Sequence, residues 1–116
     1  MASLGELERK VMEVLWEDPT ADATVREVAT HLPGYAYTTV LTVLDRLCHK
    51  ALVTRTKDGR AFRYAAASSR EEYTAELMRE ALGAAADREA VLVRFAETVS
   101  PDEADALRRA LAAVEE

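Results

Sequence analysis

Apolar and polar residues alternate along this chain as a run of short helices interrupted by one hairpin. From Ala36 to Val53 (AYTTVLTVLDRLCHKALV), Val40, Val43, Leu44, Leu47 and Ala51 recur at helical spacing and predict a single buried stripe. Upstream, Leu4, Leu7, Val11, Val14 and Leu15 form the stripe of a first helix, opened by a Ser3–Glu6 capping box and ending near Trp16. Asp18 to Ala23, with Pro19, reads as a loop. Thr24 and Glu27 cap a short helix that turns Val25, Val28, Ala29 and Leu32 inward, and Pro33-Gly34 makes the turn after it. Downstream, LVTRTKDGRAFRYAA reads as two strands joined at Asp58-Gly59. Counting outward pairs Lys57 with Arg60, Arg55 with Phe62 and Val53 with Tyr64, giving an apolar base and a basic tip.

Helix, turn, helix and a positively tipped hairpin describe a winged helix-turn-helix, mainly α with a small β-hairpin wing. That architecture binds DNA. In this reading the helix at 37–50 enters the major groove and the 52–65 wing grips the backbone, while the Thr24–Leu32 helix braces the reader. The reading helix shows an unusual outer face. Thr38, Leu41, Thr42, Asp45 and His49 lie there, flanked by Thr39 and Arg46, where Glu, Lys and Gln would be the ordinary choices. Short hydroxyls beside methyl groups suit base edges and thymine methyls, although threonine also tolerates plain exposure. Tyr37 stands where its hydroxyl could reach the DNA backbone or its ring could pack on the first helix. Trp16 reads as a plug at the junction with the helix-turn-helix, or less readily as a ligand platform.

Past Ala65 the composition changes. Ser69 and Glu72 open a helix to about Ala86 with Tyr73, Leu77, Met78, Ala81 and Leu82 on one side. Asp87 caps a second helix bearing Val91, Leu92 and Phe95. Ser100-Pro101-Asp102-Glu103 opens a third, striped by Ala104, Leu107, Leu111 and Val114. Three short helices cannot bury three apolar stripes among themselves, and an identical chain is the simplest partner. The expected division is therefore a DNA-binding domain over residues 1–67 and a helical dimerisation domain over 68–116. The expected interface is Tyr73, Leu77, Leu92, Phe95, Leu107 and Leu111. Folding back onto the winged helix of the same chain is the competing arrangement.

The formal net charge of −6 appears to oppose DNA binding until it is mapped. Residues 1–23 carry −4 and residues 65–116 carry −6, whereas residues 24–64 carry +4, from seven basic and three acidic side chains. The positive segment coincides with the reading helix and wing, and it adds Lys50, Arg55, Lys57, Arg60 and Arg63 to the candidate contacts. With 116 residues, one domain or a small domain plus an accessory element is expected. No apolar run approaches the ~20 residues that span a bilayer, and no signal peptide pattern opens the chain. The expectation is a cytoplasmic protein without membrane insertion. The single cysteine, Cys48, has no internal partner for a disulfide.

Catalytic and cofactor readings find no support. His31 and His49 are far apart, and Cys48-His49 are helix neighbours that point in different directions, a weak metal site. There is no glycine-rich phosphate loop, and the carboxylates occupy caps and outer helix faces. No enzyme, cofactor or metal is expected.

The run LGELERKVMEVLW (Leu4 to Trp16), TVREV, AYTTVLTVLDRL, KALV and DGRAFRY (Asp58 to Tyr64), extending to DEADALRRAL, resembles the penicillinase repressor family of BlaI/MecI-type regulators. The resemblance implies a homodimeric repressor on a palindromic operator, with the C-terminal helices as the dimer interface. It places Thr38, Thr39, Thr42 and Arg46 on the operator-contacting helix and Arg60 and Arg63 on the wing. It also implies induction through a membrane-bound sensor protease that cuts an Asn-Phe bond. The corresponding pair here, Arg94-Phe95, departs from that pattern. Copper-responsive relatives carry a C-terminal cysteine cluster, and this chain has none. Two readings of other classes stand beside it. One is a winged helix that docks a protein instead of DNA, which a weak salt dependence would reveal. The other is a repressor with a small-molecule pocket, for which the apolar stripes supply no orienting polar group.

Overall fold

The computed structural model describes residues 4–18 and 20–115, so Ser3 and Pro19 lie outside the described residues. In chain order the elements are α1 (Glu6–Glu17), β1 (Ala23–Thr24), α2 (Val25–Thr30) and α3 (Tyr37–His49). The hairpin strands β2 (Val53–Asp58) and β3 (Ala61–Ala66) follow, then α4 (Arg70–Gly83), α5 (Arg88–Ala96) and α6 (Pro101–Glu115). Four capping contacts read from the sequence are made. Thr24 Oγ1 accepts from Glu27 N, Ser69 Oγ from Glu72 N, Asp87 Oδ1 from Ala90 N and Ser100 Oγ from Glu103 N. The first helix instead starts after Gly5, whose N–H donates to the Glu8 carboxylate at 2.9 Å.

Two compact units divide at Leu77/Met78, inside α4. In the first, α3 is the central strut. Val40, Leu44 and Leu47 are fully buried and Val43 nearly so, against Val11, Met12, Val28 and Tyr64. The buried face of α1 is rotated from the expected one. Met12 and Trp16 are deep, while Leu4, Leu7 and Val14 are only partly covered. Trp16 is a plug, but for the start of α4. Its Nε1 donates to Ser68 O at 3.0 Å and its ring meets Tyr73 at 5.5 Å between centroids.

Ala51 does not continue the α3 stripe. It is exposed, with φ of 63°, and Leu52 takes the buried place. Ala51 N donates to Cys48 O and Leu52 N to Leu47 O, both at 3.0 Å, which closes the helix in a Schellman motif with Leu52 packed beside Leu47 in the core. The left-handed residue that ends this motif is usually glycine, because a Cβ is disfavoured there.

The wing also differs from the count made on sequence. The register is Val53↔Ala66, Arg55↔Tyr64, Lys57↔Phe62 and Asp58↔Ala61, so the two-residue turn is Gly59-Arg60 and not Asp58-Gly59. Gly59 has φ of 64° and Arg60 does not share it, the pattern of a type II′ turn, which wants glycine first. Facing residues keep their side of the hairpin, but each partner moves two places along β3. Strand β1, expected as loop, joins the sheet through Ala23↔Tyr64 and Thr24↔Arg63, giving the antiparallel order β1-β3-β2.

In the second unit no side chain of α5 or α6 is buried. Val91, Leu92, Phe95, Leu107 and Leu111 are all between 43% and 54% exposed. No helix among the described residues is long and apolar enough to cross a membrane.

Candidate nucleic-acid interface

Because Val40, Val43, Leu44 and Leu47 fix one side of α3 in the core, its opposite side must face outward. Thr38, Thr39, Thr42 and Arg46 are exposed there, and Tyr37 is half exposed at the helix start. Thr42 Oγ1 donates to Thr38 O at 2.9 Å, so its hydroxyl is oriented, with lone pairs and methyl directed away from the backbone. Ala36, the N-cap, supplies no side-chain bond, and the first turn holds no acidic residue. The leading N–H groups of α3 are thus left for another acceptor.

A cleft of about 630 Å³ opens between the first turn of α2, one flank of α3 and the wing. Tyr37, Leu41 and Asp45 line it from α3, Arg55, Arg60 and Phe62 from the wing, and Arg26 from α2. Leu41 and Asp45, expected on the open face, are half-buried here. Tyr37 points to this cleft, and the contact to α1 is made instead by Tyr35, whose hydroxyl accepts from Lys10 Nζ at 3.1 Å. Arg26 escaped the sequence reading because it sits on a helix assigned only a bracing role. Its place on the positive segment, one residue into a helix N-terminus, was the available signal.

The basic candidates separate into paired and open. Lys57, Arg60 and Arg46 are exposed, with no ion pair among the described residues. Arg55 stacks 4.4 Å from the Phe62 ring centre and stands 3.5 Å from Asp45. Arg63 is held by Asp22 at 2.7 Å and Glu27 at 3.2 Å, and the bond to Asp22 raises its guanidinium above the ordinary value. Lys50, an exposed residue, reaches the Glu8 carboxylate, at 2.8 and 3.0 Å. That bond, with Gly5 N–H, holds Glu8 below the usual carboxylate range against the opposing effect of burial. Cys48 lies half-buried beside Asp45, His49 and Arg55, and burial pushes its thiol up, away from a reactive thiolate. No three potential metal ligands gather among the described residues.

Of the residues expected to face a partner chain, Leu92, Phe95, Leu107 and Leu111 are exposed on α5 and α6. Tyr73 is not available. It is 3% exposed in the first unit's core against Trp16, and Leu77 packs beside the same core, because the first turns of α4 cover the end of α1.

Comparison with known proteins agrees with this geometry. A model of the penicillinase repressor family matches residues 4–113. The transcriptional regulator BlaI of Mycobacterium tuberculosis is 51% identical over 121 residues, covering 99% of this chain and 87% of that protein, in both strains compared. Among solved structures, a MarR family protein from Bacillus stearothermophilus aligns with a TM-score of 0.53 at 21% identity, over 98% of this chain and 74% of that one. Streptococcus pneumoniae FabT, solved in complex with DNA, aligns at 0.51 with 16% identity, over 97% and 74%. These structural likenesses establish the winged-helix fold, and the sequence match establishes the lineage: the chain belongs to the penicillinase repressor family.

Proposed function

We propose that this family member, a DNA-binding repressor of transcription and not an enzyme, acts as a homodimer on a palindromic operator. The DNA-binding unit extends from the expected boundary at residue 67 to Leu77, since the first turns of α4 belong to its core, and the pairing surface lies within residues 78–116. The observation that carries the reading is α3 itself, anchored by four buried aliphatics and presenting Thr38, Thr39, Thr42 and Arg46 outward. In the major groove these side chains meet base edges. A backbone phosphate fits the uncapped start of α3 beside Tyr37 and the Arg26–Arg60 cleft, while Lys57 and Arg60 at the wing tip take a neighbouring phosphate or the minor groove. Leu92, Phe95, Leu107 and Leu111 form the interface between chains.

The site of action is the cytoplasm, and a membrane-bound sensor protease is the implied source of induction. Arg94-Phe95, inside α5, stands where the family resemblance puts the Asn-Phe bond that such a protease cuts, so cleavage at this bond is not part of the proposal.

Selecting bound fragments from the source genome tests the function. An inverted repeat bound by two chains, with affinity falling steeply as salt rises, is the expected result. Recovery of fragments without a shared sequence, or binding indifferent to salt, would return the α3 face to a protein-docking role.

A further inference from the structure

One charged residue among the described ones is buried, and it lies under the reading helix. Glu8 is 6% exposed, on the same α1 face as Val11, Met12 and Leu15. Its carboxylate accepts from Lys50 Nζ at 2.8 and 3.0 Å and from Gly5 N at 2.9 Å. Lys50 is the C-cap of α3, so this pair joins the first turn of α1 to the last turn of the reader, 42 residues apart in sequence. The first turn of α1 also borders the reading face directly, since Gly5, Glu6 and Glu8 share a hollow with Thr39, Thr42 and Arg46.

We propose that Glu8 is a positioning residue for operator recognition, setting the pitch of α3 through Lys50 and withholding the Lys50 charge from DNA. The apolar stripe of α3 is held by contacts without direction, which tolerate small rotations. A charge-assisted hydrogen bond fixes both distance and angle. From Lys50 to Tyr37 the helix is about 20 Å long, so a tilt of about 3° pivoting at Lys50 moves Thr38, near the far end, by about 1 Å. Base reading does not tolerate that displacement, whereas phosphate attraction does. The second effect acts on affinity as a whole. A free lysine at the end of α3 would strengthen binding to every sequence alike, and pairing it internally lowers that sequence-independent attraction.

This inference rests on α3 reading DNA, so wild-type protein is titrated first with operator and with random duplex across a salt series. Failure of the wild type to prefer operator defeats the functional reading, not this one. Four variants follow, each checked for a cooperative thermal transition: Glu8→Gln, Lys50→Gln, the double variant, and Lys50→Arg. For Glu8→Gln, random-duplex binding should strengthen, the log–log salt slope should steepen by about one unit, and operator preference should fall about tenfold. Lys50→Gln should lose a similar preference with no change in salt slope. The double variant, with two neutral amides in place of the ion pair, should match Lys50→Gln and not add to it. Lys50→Arg, which can still reach the carboxylate, should retain most of the preference. The double variant also carries the test if either single substitution unfolds. A salt slope lowered by about one unit in Lys50→Gln would make Lys50 a phosphate contact and overturn the proposal. So would variants that lose thermal stability but keep the wild-type ratio of operator to random affinity.

Discussion

At the scale of single residues, the side chains proposed to carry recognition are held by bonds the sequence alone does not display. Thr42 is oriented by Thr38 O, so its methyl and lone pairs face outward in a fixed rotamer. Thr42→Ala should cost on the order of 1 kcal/mol of operator affinity and relax preference at one base pair per half-site. A panel of single-base operator variants measures this, and unchanged discrimination at every position would remove Thr42 from the reading set. Ala51, at φ of 63°, occupies a position that disfavours a Cβ. Ala51→Gly should therefore raise stability, by up to about 1 kcal/mol after glycine's greater loss of backbone freedom is counted. Thermal or urea unfolding reads it, and a destabilised variant would show that the αL geometry is unstrained. Helical period continues Ala51 onto the stripe because nothing in its identity marks the Schellman turn. Glu8 shares its period with Val11, Met12 and Leu15, and a charged residue on that face is not marked as buried by sequence. Its inward place depends on Lys50, a partner 42 residues away.

At the scale of elements, local signals were the legible ones. Four caps, the turn after α2 and the stripe of α3 all follow from residues within one or two turns of each other. Long-range pairing was less visible. Strand β1 has two residues, too few for alternation to register, and forms only because Tyr64 and Arg63 lie opposite. The hairpin register turned on which residue takes positive φ, and two-residue turns place glycine either first or second. That shift has a functional consequence, since it puts Arg60 in the turn itself, exposed and without an ion pair among the described residues. Arg60→Ala should weaken binding to all sequences alike and lower the salt slope by about one unit. Arg63, on the same strand, is held by Asp22 and Glu27, and so ties the wing to the start of α2. An unaltered slope for Arg60→Ala would mean that the wing tip stays solvated in the complex.

At the scale of the whole molecule, the proposed function combines a reader with a means of pairing readers. The charge map pointed to the first half, because a +4 segment within a −6 chain coincides with α3 and the wing, although Lys50, Arg55 and Arg63 of that segment are paired with carboxylates. The second half is a proposal that rests on a shortage of burial. The stripes of α5 and α6 stay exposed, with Leu92, Phe95, Leu107 and Leu111 each 44% to 54% accessible. Helical period puts Tyr73 on that surface, yet it fills the groove beside Trp16. Sequence periodicity says which face of a helix is apolar, not what covers it. Leu107 stands in the middle of the uncovered α6 stripe, and Leu107→Asp would bury an unpaired carboxylate at the proposed interface, at a cost of about 3–5 kcal/mol. The winged helix has its own core and should keep its fold. The most direct measurement is a titration of full and half operators with this variant, its mass followed by sedimentation. The account predicts a monomer whose full-operator affinity drops on the order of a hundredfold, toward that of a half-site, as the advantage of two linked readers disappears. A variant that stays dimeric and binds the full operator as tightly as wild type would contradict it.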